Sequence, residues 1–329
     1  MSLPTIRAIR RNFPDAEISI LAKPWVSPLF DNNPDIDHIL LYDSVKRHGG
    51  LFGKPRLSKD LREKRFDLAI LMQNAFEAAL ITWMAGIPNR LGYNTDARTL
   101  LLTHPVKRNP EYKKIHQIDY YLGILEGASL KTYGKELSLI ISDKERINAN
   151  KILKNHGITG EYHIIGINPG AAYGNAKRWY PERFADLCKR LQNFCKADII
   201  ILGGPGEELL GREICSMIGK DCVSLCAKTS LREATALIEK FTLFITNDSG
   251  LMHIAAALDT RQIAIFGPTN QITTSPASLK SHIISVPTPC SPCLKPECPE
   301  KHHSCMKAVT VDIVYQAAIN KLSFFKKLT

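Results

Sequence analysis

The fold is decided by the stretch TLFITNDSGLMHIAAAL (residues 242–258), in which a short apolar run is followed by a polar turn and a second apolar run. The first run has the length of a strand buried on both faces, and the second has the composition of a helix. The turn Asp248-Ser249-Gly250 therefore lies at the carboxyl end of a parallel strand and at the start of a helix, where anionic or polyhydroxylated ligands bind. Two alternatives stay open: Asp248 and Ser249 only cap the helix, and His253 is a buried, hydrogen-bonded histidine instead of a ligand contact.

Strand-like runs of the same kind recur on both sides of this stretch. In the C-terminal half they alternate with helical patterns, such as the one that begins at Pro181 and the one that Ser230 caps. The chain has 329 residues, more than the roughly 250–300 at which a single core stops growing. We therefore expect two doubly wound, Rossmann-like α/β layers in series. The strand-like runs are residues 17–22, 37–43 and 66–72 in the first layer, and residues 163–169, 197–204, 222–226, 242–248 and 261–267 in the second.

Two further turns with small residues follow strands of the second layer. Gly170 and Ala171 let a backbone approach phosphate oxygens, and Lys177 supplies a positive charge to them. The spacing does not match a P-loop, and an ordinary glycine-rich loop is the alternative. After the next strand, Glu207 or Glu208 either accepts hydrogen bonds from a ribose or only complements the helix dipole. Because all three turns lie at the carboxyl ends of strands in one layer, they converge on one crevice suited to a nucleoside diphosphate joined to a sugar.

The composition is that of a folded globular chain, with 44% hydrophobic and 23% charged residues. A formal charge of +11 favours an anionic partner, and no nucleic-acid-binding module accompanies it. The sequence has neither an apolar run long enough to span a bilayer nor a signal peptide pattern. We expect a cytoplasmic protein without a nucleic-acid partner.

The motifs quoted so far form a set that resembles a known family. The family is that of the bacterial lipopolysaccharide heptosyltransferases (glycosyltransferase family 9), and the resemblance is greatest to the heptosyltransferase II type. It covers nearly the whole chain. It is carried by NPGAAYGNAKRW (168–179), TNDSGLMHIAAAL (246–258) and FGPT (266–269), and in the first layer by RAIRRNFPDAEISILAKPW (7–25), LREKRFDLAILMQNAFEAAL (61–80) and AGIPNRLGY (85–93).

The resemblance implies a GT-B fold, in which two Rossmann-like domains face a cleft. Residues 1–142 would form the acceptor-binding domain, residues 143–312 the ADP-sugar-binding domain and residues 313–329 a C-terminal helix or tail. The implied reaction is inverting transfer of L-glycero-D-manno-heptose from ADP-heptose to the lipopolysaccharide inner core, at the inner-membrane surface and without an obligatory metal.

The resemblance also implies roles for single residues. Lys177 and Asp248 are the catalytic candidates, since Lys177 corresponds to the lysine on the donor phosphates. The donor-binding candidates are Gly170, Ala171, Lys177, Glu207, Asp248, Ser249, Gly250 and His253. Asn74 and Arg90 are acceptor-binding candidates, although Glu77 stands where relatives often have a basic residue. The family's expected base, an aspartate after the first strand, corresponds to a segment before Met1, so we expect this chain to lack that strand and to be impaired.

Nine cysteines are present, and four of them lie in one proline-rich stretch. These four, Cys290, Cys293, Cys298 and Cys305, either bind a structural zinc ion or stay as free thiols or a redox-dependent disulfide. The other five, Cys188, Cys195, Cys215, Cys222 and Cys226, are expected to be small buried hydrophobic residues. The tail at residues 321–329 is expected to be a helix that packs on the N-terminal domain, with contact to the membrane surface as the alternative.

Four other functions remain open at this point. They are a heptosyltransferase of type I, a catalytically inactive sugar-nucleotide-binding protein, a sugar-nucleotide epimerase and a nicotinamide-dependent oxidoreductase. The absence of the G-x-G-x-x-G motif argues against the last.

Overall fold

A computed structural model describes residues 1–171 and 174–326 of the chain. The chain divides into two compact units, Met1–Lys135 (unit 1) and Glu136–Thr329 (unit 2). Each unit contains parallel strands covered by helices, which is the α/β class expected from the continuous apolar runs. In the described residues, no helix is long and apolar enough to cross a membrane.

Unit 1 contains five strands in two separate parallel sheets. β1 pairs with β2, with Ser19 opposite His38, and β4 lies between β3 and β5. No strand among the described residues joins the two sheets, so the first layer is divided. The elements are α1 (Leu3–Asn12), β1 (Ser19–Ala22), β2 (His38–Leu41), α2 (Gly53–Glu63), β3 (Leu68–Leu71), α3 (Phe76–Met84), β4 (Asn89–Tyr93), β5 (His104–Val106) and α4 (Gln117–Glu126).

Unit 2 is built on one six-stranded parallel sheet. Its elements are α5 (Asp143–Asn155), β6 (His163–Asn168), α6 (Pro181–Cys195), β7 (Ala197–Ile201), α7 (Glu208–Ile218), β8 (Cys222–Ser224), α8 (Leu231–Lys240), β9 (Leu243–Asn247), α9 (Gly250–Ala257), β10 (Gln262–Phe266), α10 (Gln271–Thr274), β11 (Ser281–Ser285), α11 (Ser304–Lys307) and α12 (Val311–Lys326). The strand order is β11-β10-β9-β6-β7-β8. The chain winds outward from β6 to one side and then from β9 to the other, which is the Rossmann order.

The helices of unit 2 begin where the sequence predicts. Pro181 occupies the first turn of α6, where its missing N–H costs nothing. Ser230 begins α8 through a capping box with Glu233, and Ser142 begins α5 through the same motif with Glu145. These caps fix the directions in which the helices leave the strands.

The C-terminal helix α12 packs on unit 2. Its apolar stripe of Val314, Ala318 and Leu322 is buried in the core of unit 2, and the helix packs against α6. Residues four positions apart lie on one face of a helix, so burial of these three side chains explains why α12 packs against α6. The expectation that the tail at residues 321–329 packs on the N-terminal domain stays a prediction, since part of that tail lies beyond the described chain. Residues 327–329 lie outside the described residues.

The cysteine prediction is wrong for one pair. Cys215 on α7 and Cys222 on β8 are joined by a disulfide. Because the two residues lie on neighbouring elements, at the end of a helix and the start of the next strand, their Cα atoms are only 5.5 Å apart. Cys188 and Cys226 are buried free thiols, as expected.

Candidate active site

The site is created by the strand order of unit 2. β6 and β9 are neighbours, with Asn168 opposite Thr246, and the chain leaves them in opposite directions. A crevice opens outside the carboxyl ends of two such strands. The loop that contains Lys177 follows β6, and the turn that contains Asp248 follows β9, so both lie at this crevice. Ala172 and Tyr173 of the first loop lie outside the described residues.

Two buried asparagines, to which the sequence analysis gave no role of their own, hold the ends of these strands together. Asn247 donates from Nδ2 to the carbonyl of Pro169 (2.7 Å) and accepts from the Trp179 N–H (3.2 Å). Asn168 donates to the carbonyl of Leu202 (3.0 Å) at the end of β7. Asn247 is fully buried, so each of these bonds satisfies a backbone group that water does not reach. The loop after β6 is thereby tied to β9 on both sides of Lys177.

Lys177 and Asp248 form an ion pair inside the crevice. Lys177 Nζ lies 2.7 Å from Asp248 Oδ2, and the two side chains are 15% and 7% exposed. Removal of both charges from water has a cost that only close, well-formed pairing offsets. The carboxylate also directly precedes the start of α9, where Ser249 accepts a hydrogen bond from the Met252 N–H. The pair therefore fixes the lysine beside the N-terminus of α9, the positive end of the helix dipole.

A cavity of about 320 Å³ opens at this pair. It is lined by Lys177, Asp248, Ser249, Gly250 and His253, which are five of the eight donor-binding candidates. Lysine, the N-terminus of α9 and hydroxyl-bearing side chains together provide a positive and hydrogen-bonding surface for a phosphorylated, polyhydroxylated ligand. The cavity is also lined by Thr269, Asn270, Thr273, Thr274 and Leu294.

Thr269 and Asn270 are further site residues that the sequence analysis did not assign. They follow β10 at its carboxyl end, and Asn270 caps α10 by accepting a hydrogen bond from the Ile272 N–H (2.9 Å). Within the described part of the chain, Thr269 Oγ1 is buried and has no hydrogen-bond partner, so it is able to bond to a ligand. The rule that identified the turns after β6 and β9 also applies to β10 and would have found both residues.

The remaining donor candidates lie in a second group, which does not line this cavity. Glu207 Oε2 accepts from the Gly204 N–H (2.8 Å), and its other oxygen lies 3.8 Å from Arg178. The carboxylate occupies the space where a side chain at Gly170 would stand, since a Cβ there would lie 1.8 Å from Glu207 Oε1. Gly170 and Glu207 are therefore in contact, and Ala171 beside them is buried.

The acceptor candidates belong to unit 1. Asn74 follows β3 and donates to the Tyr120 hydroxyl (2.7 Å); over the described ranges its buried Oδ1 has no partner. Arg90 on β4 instead donates from Nε to the carbonyl of Leu101 (2.6 Å) and from Nη1 to the carbonyls of Ile87 and Pro88. These bonds give Arg90 a role in bracing its own segment, which leaves Asn74 as the candidate with free hydrogen-bonding capacity.

Glu77, where the sequence analysis expected a departure from the family pattern, is held in a local network. It accepts a hydrogen bond from the Tyr42 hydroxyl and lies 3.0 Å from Lys54 Nζ. The Tyr42 bond, with the charge of Lys54, holds the pKa of the Glu77 carboxyl below its usual value. Burial and the same bond raise the pKa of Tyr42 to about 12. Glu77 is therefore ionised, and Lys54 balances its negative charge.

The four C-terminal cysteines lie in a region that we call the cysteine-rich segment (residues 288–305). They line one small pocket of about 20 Å³, together with His302 and His303. Burial raises the pKa of the Cys305 thiol. In the part of the chain that the structure describes, no group of three or more His, Cys, Asp or Glu side chains is arranged to hold a metal ion. The zinc site thus stays a prediction without geometric support. Metal analysis of the purified protein tests it.

The comparison with known families agrees with this geometry. Residues 55–304 match the model of glycosyltransferase family 9 (heptosyltransferase), and this range includes the β6 and β9 loops and the cavity. The chain belongs to glycosyltransferase family 9. The family expected from the sequence motifs is thereby confirmed, and the chain is a glycosyltransferase.

Named relatives of this family 9 chain cover almost its whole length. It is 30% identical to lipooligosaccharide heptosyltransferase 2 of Campylobacter jejuni, over 98% of this chain and 94% of that protein. It is 29% identical to lipopolysaccharide heptosyltransferase 2 of Salmonella typhimurium, over 98% of this chain and 93% of that protein.

Solved structures extend the similarity to the fold. The structure of ADP-heptose lps heptosyltransferase II from E. coli is 27% identical, with a TM-score of 0.81 over 99% of this chain and 95% of that one. A glycosyl transferase family 9 structure from Veillonella parvula, 22% identical, has a TM-score of 0.84 over 98% of this chain and 92% of that one, and supports the fold alone. The expected GT-B fold is confirmed.

Proposed function

We propose that this glycosyltransferase transfers L-glycero-D-manno-heptose from ADP-heptose to the lipopolysaccharide inner core, with inversion, as a heptosyltransferase of type II. The observation that carries the proposal is the cavity at the Lys177–Asp248 pair, at the switch point of a Rossmann sheet. The names of the relatives support the sugar and the acceptor, since several are lipopolysaccharide or lipooligosaccharide heptosyltransferases 2.

In this proposal, the cavity serves the leaving group of the reaction. Displacement at the anomeric carbon leaves negative charge on the ADP diphosphate, and catalysis requires groups that stabilise this charge. Lys177 supplies a cation held in place by Asp248, and the start of α9 at Gly250 supplies N–H groups and the positive end of a helix dipole. His253 and Thr269 line the same cavity and are proposed to contact the donor.

Glu207 is proposed to bind the ribose of ADP. Its carboxylate has accepting capacity beyond the bond from Gly204, and it lies beside the loop that carries Lys177. Gly170 serves this arrangement because the absence of a side chain leaves room for the carboxylate.

The acceptor is proposed to contact unit 1 through Asn74, whose Oδ1 is able to accept a hydrogen bond from a sugar hydroxyl. A formal charge of +11 supports peripheral association with an anionic membrane surface, where such an acceptor is embedded. Flotation with anionic and with neutral vesicles tests this part. Equal recovery with both would contradict it.

The function is tested by incubation of the protein with ADP-heptose and two acceptors, one that carries a first heptose and one that ends in Kdo. Mass spectrometry of the acceptor is expected to show addition of one heptose only to the heptose-bearing acceptor. Addition of heptose to the Kdo acceptor alone would show that the protein is a heptosyltransferase of type I instead of type II. Binding of ADP-heptose without any extended product would leave a sugar-nucleotide-binding protein.

A pair of lysine variants separates the role of the cavity from general effects of charge. Lys177→Met is expected to abolish most of the transfer, because the leaving diphosphate loses its cation. Lys189→Met removes an exposed lysine of α6 and is expected to transfer heptose like the unmodified protein.

A further inference from the structure

The cysteine-rich segment contacts the loop of the donor site next to Lys177. The contact is made at Ala176, the buried residue that precedes Lys177. The Ala176 N–H donates to the carbonyl of Pro296 (3.0 Å), and the Ala176 carbonyl lies 2.8 Å from His303 Nε2. Both backbone polar groups of Ala176 are therefore satisfied by the cysteine-rich segment.

The imidazole of His303 is fixed at both of its nitrogen atoms. A carbonyl oxygen only accepts, so Nε2 carries the hydrogen and donates it to Ala176. Nδ1 lies 3.1 Å from the Tyr180 hydroxyl and accepts from it. Burial raises the pKa of Tyr180, so this hydroxyl keeps its proton. The two rings also meet edge to face, with centroids 5.5 Å apart. Ring orientation and tautomer are thus set by two separate partners.

The close approach of the two segments depends on Gly174. Its φ of +140° lies in the region that favours glycine, and a Cβ at this position would stand 2.2 Å from the Pro296 carbonyl oxygen. The backbone at Gly174 therefore packs directly against the backbone at Pro296, on one side of Ala176. On the other side, His303 bonds to the Ala176 carbonyl.

Lys177 is the next residue after Ala176, and its Nζ lies 2.7 Å from Asp248 Oδ2. The position of the Lys177 side chain is thus fixed at two points. The Asp248 carboxylate holds its ammonium group, and the hydrogen-bonded peptide of Ala176 holds its backbone. A shift of the peptide between Ala176 and Lys177 would move the ammonium group, and a misplaced group loses much of its electrostatic effect on a bound phosphate.

We propose that His303 is a positioning residue for Lys177, and that the cysteine-rich segment presents the lysine to the diphosphate of the donor. The inference rests on the proposed function, since it assumes that the cavity binds a nucleoside diphosphate. It gives a function to a segment that has no contact role in the proposed reaction beyond Leu294, which lines the cavity.

The test is a double-mutant cycle with ADP as the ligand and calorimetry as the measurement. His303→Ala is expected to weaken ADP binding about 3- to 10-fold, the size expected for one neutral hydrogen bond. In a Lys177→Met background, the same substitution is expected to change the dissociation constant by less than about 2-fold, because there is no longer a lysine to position. A purely structural role would instead weaken binding by the same factor in both backgrounds, and this result would overturn the proposal.

Three further variants keep the test informative if His303→Ala is unstable. His303→Gln retains an N–H donor near Nε2 and is expected to restore most of the ADP affinity. Tyr180→Phe removes only the hydroxyl that orients the ring and is expected to weaken ADP binding about 2-fold, again only when Lys177 is present. His156→Ala, an exposed histidine of unit 2, is the matched control and should bind ADP normally.

The outcomes for the two proposals are distinguishable. If the unmodified protein does not bind ADP, the proposed function fails, and this inference fails with it. If the unmodified protein binds ADP and the His303 and Tyr180 variants bind it equally well, only the positioning role is refuted. Thermal melting of each variant confirms that the compared proteins are folded.

Discussion

A single methyl group at Gly170 is expected to destabilise unit 2 and weaken donor binding. Gly170 is not among the glycines with positive φ, so Gly170→Ala introduces no backbone strain. The new Cβ would lie 1.8 Å from Oε1 and 2.1 Å from Cδ of Glu207. The carboxylate must move by more than 1 Å to reach ordinary van der Waals contact, which begins at 3.4 Å. That movement breaks the 2.8 Å bond from the Gly204 N–H.

The magnitude follows from the lost bond. A hydrogen bond to a charged group contributes about 1.5–3 kcal/mol, and Glu207 is only 13% exposed, so water does not fully replace it. For a unit of this size, the loss corresponds to a fall in Tm of about 3–10 °C. The ADP dissociation constant is expected to rise as well, since the displaced carboxylate no longer reaches the ribose.

Differential scanning fluorimetry and ADP calorimetry on four variants test this reasoning. Glu207→Ala removes both the bond and the obstacle, so addition of Gly170→Ala to it should change Tm by about 1 °C or less. Gly204→Ala is the matched control, because a Cβ at Gly204 meets nothing within 4 Å. A Gly170→Ala protein as stable as the unmodified one, or additive losses in the double variant, would refute the placement of Glu207.

Three other perturbations have defined outcomes. Lys177→Met should weaken ADP binding about 10- to 100-fold through loss of a charge-assisted bond, measured by calorimetry beside Lys189→Met, which should not change it. Glu145, bonded to Arg232, has a pKa lowered from 4.5 to about 2, so its stabilising effect is complete above pH 4.5 and is lost as the pH falls toward 2. Glu145→Gln should therefore flatten the decline of Tm across that acidic range, whereas an unchanged decline would contradict the assignment. Asn247→Leu leaves two buried backbone groups unpaired and should cost about 2–4 kcal/mol, measured by urea unfolding.

The parts of the fold that depend on local signals were predictable from the sequence. The strands β6, β7, β9 and β10 lie within the apolar runs identified, because a strand covered on both faces requires nearly every residue to be apolar. Pro181 and Ser230 occupy the helix starts assigned to them, since first-turn preferences arise from groups within a few residues. The residues that line the cavity after β9 follow from the same local rules.

Features that depend on distant partners were not predictable. β4 and β11 are partly polar, so their strand identity comes from their neighbours in the sheet. The separation of unit 1 into two sheets depends on pairing, which composition does not encode. The hydrogen bond from Arg90 to the Leu101 carbonyl likewise depends on the path of the chain after β4, which brings Leu101 next to Arg90.

The cavity illustrates the limit of the strand-end rule most clearly. Three of its walls come from the turns after β6, β9 and β10, each of which lies at the carboxyl end of a parallel strand. The fourth comes from the cysteine-rich segment, where Leu294 lines the cavity and its N–H donates to the carbonyl of Pro268 (2.8 Å). β11 ends shortly before this segment, but Leu294 lies well past the end of that strand and the segment contains no strand of its own, so its sequence carries no periodic signal for position. Its contacts with the Pro268 carbonyl and the Ala176 N–H are made by backbone groups, which carry no signature of residue type, and only the bond to the Ala176 carbonyl comes from a side chain, that of His303. A sequence pattern therefore finds the cysteines but not the reason why the segment lies against the donor site.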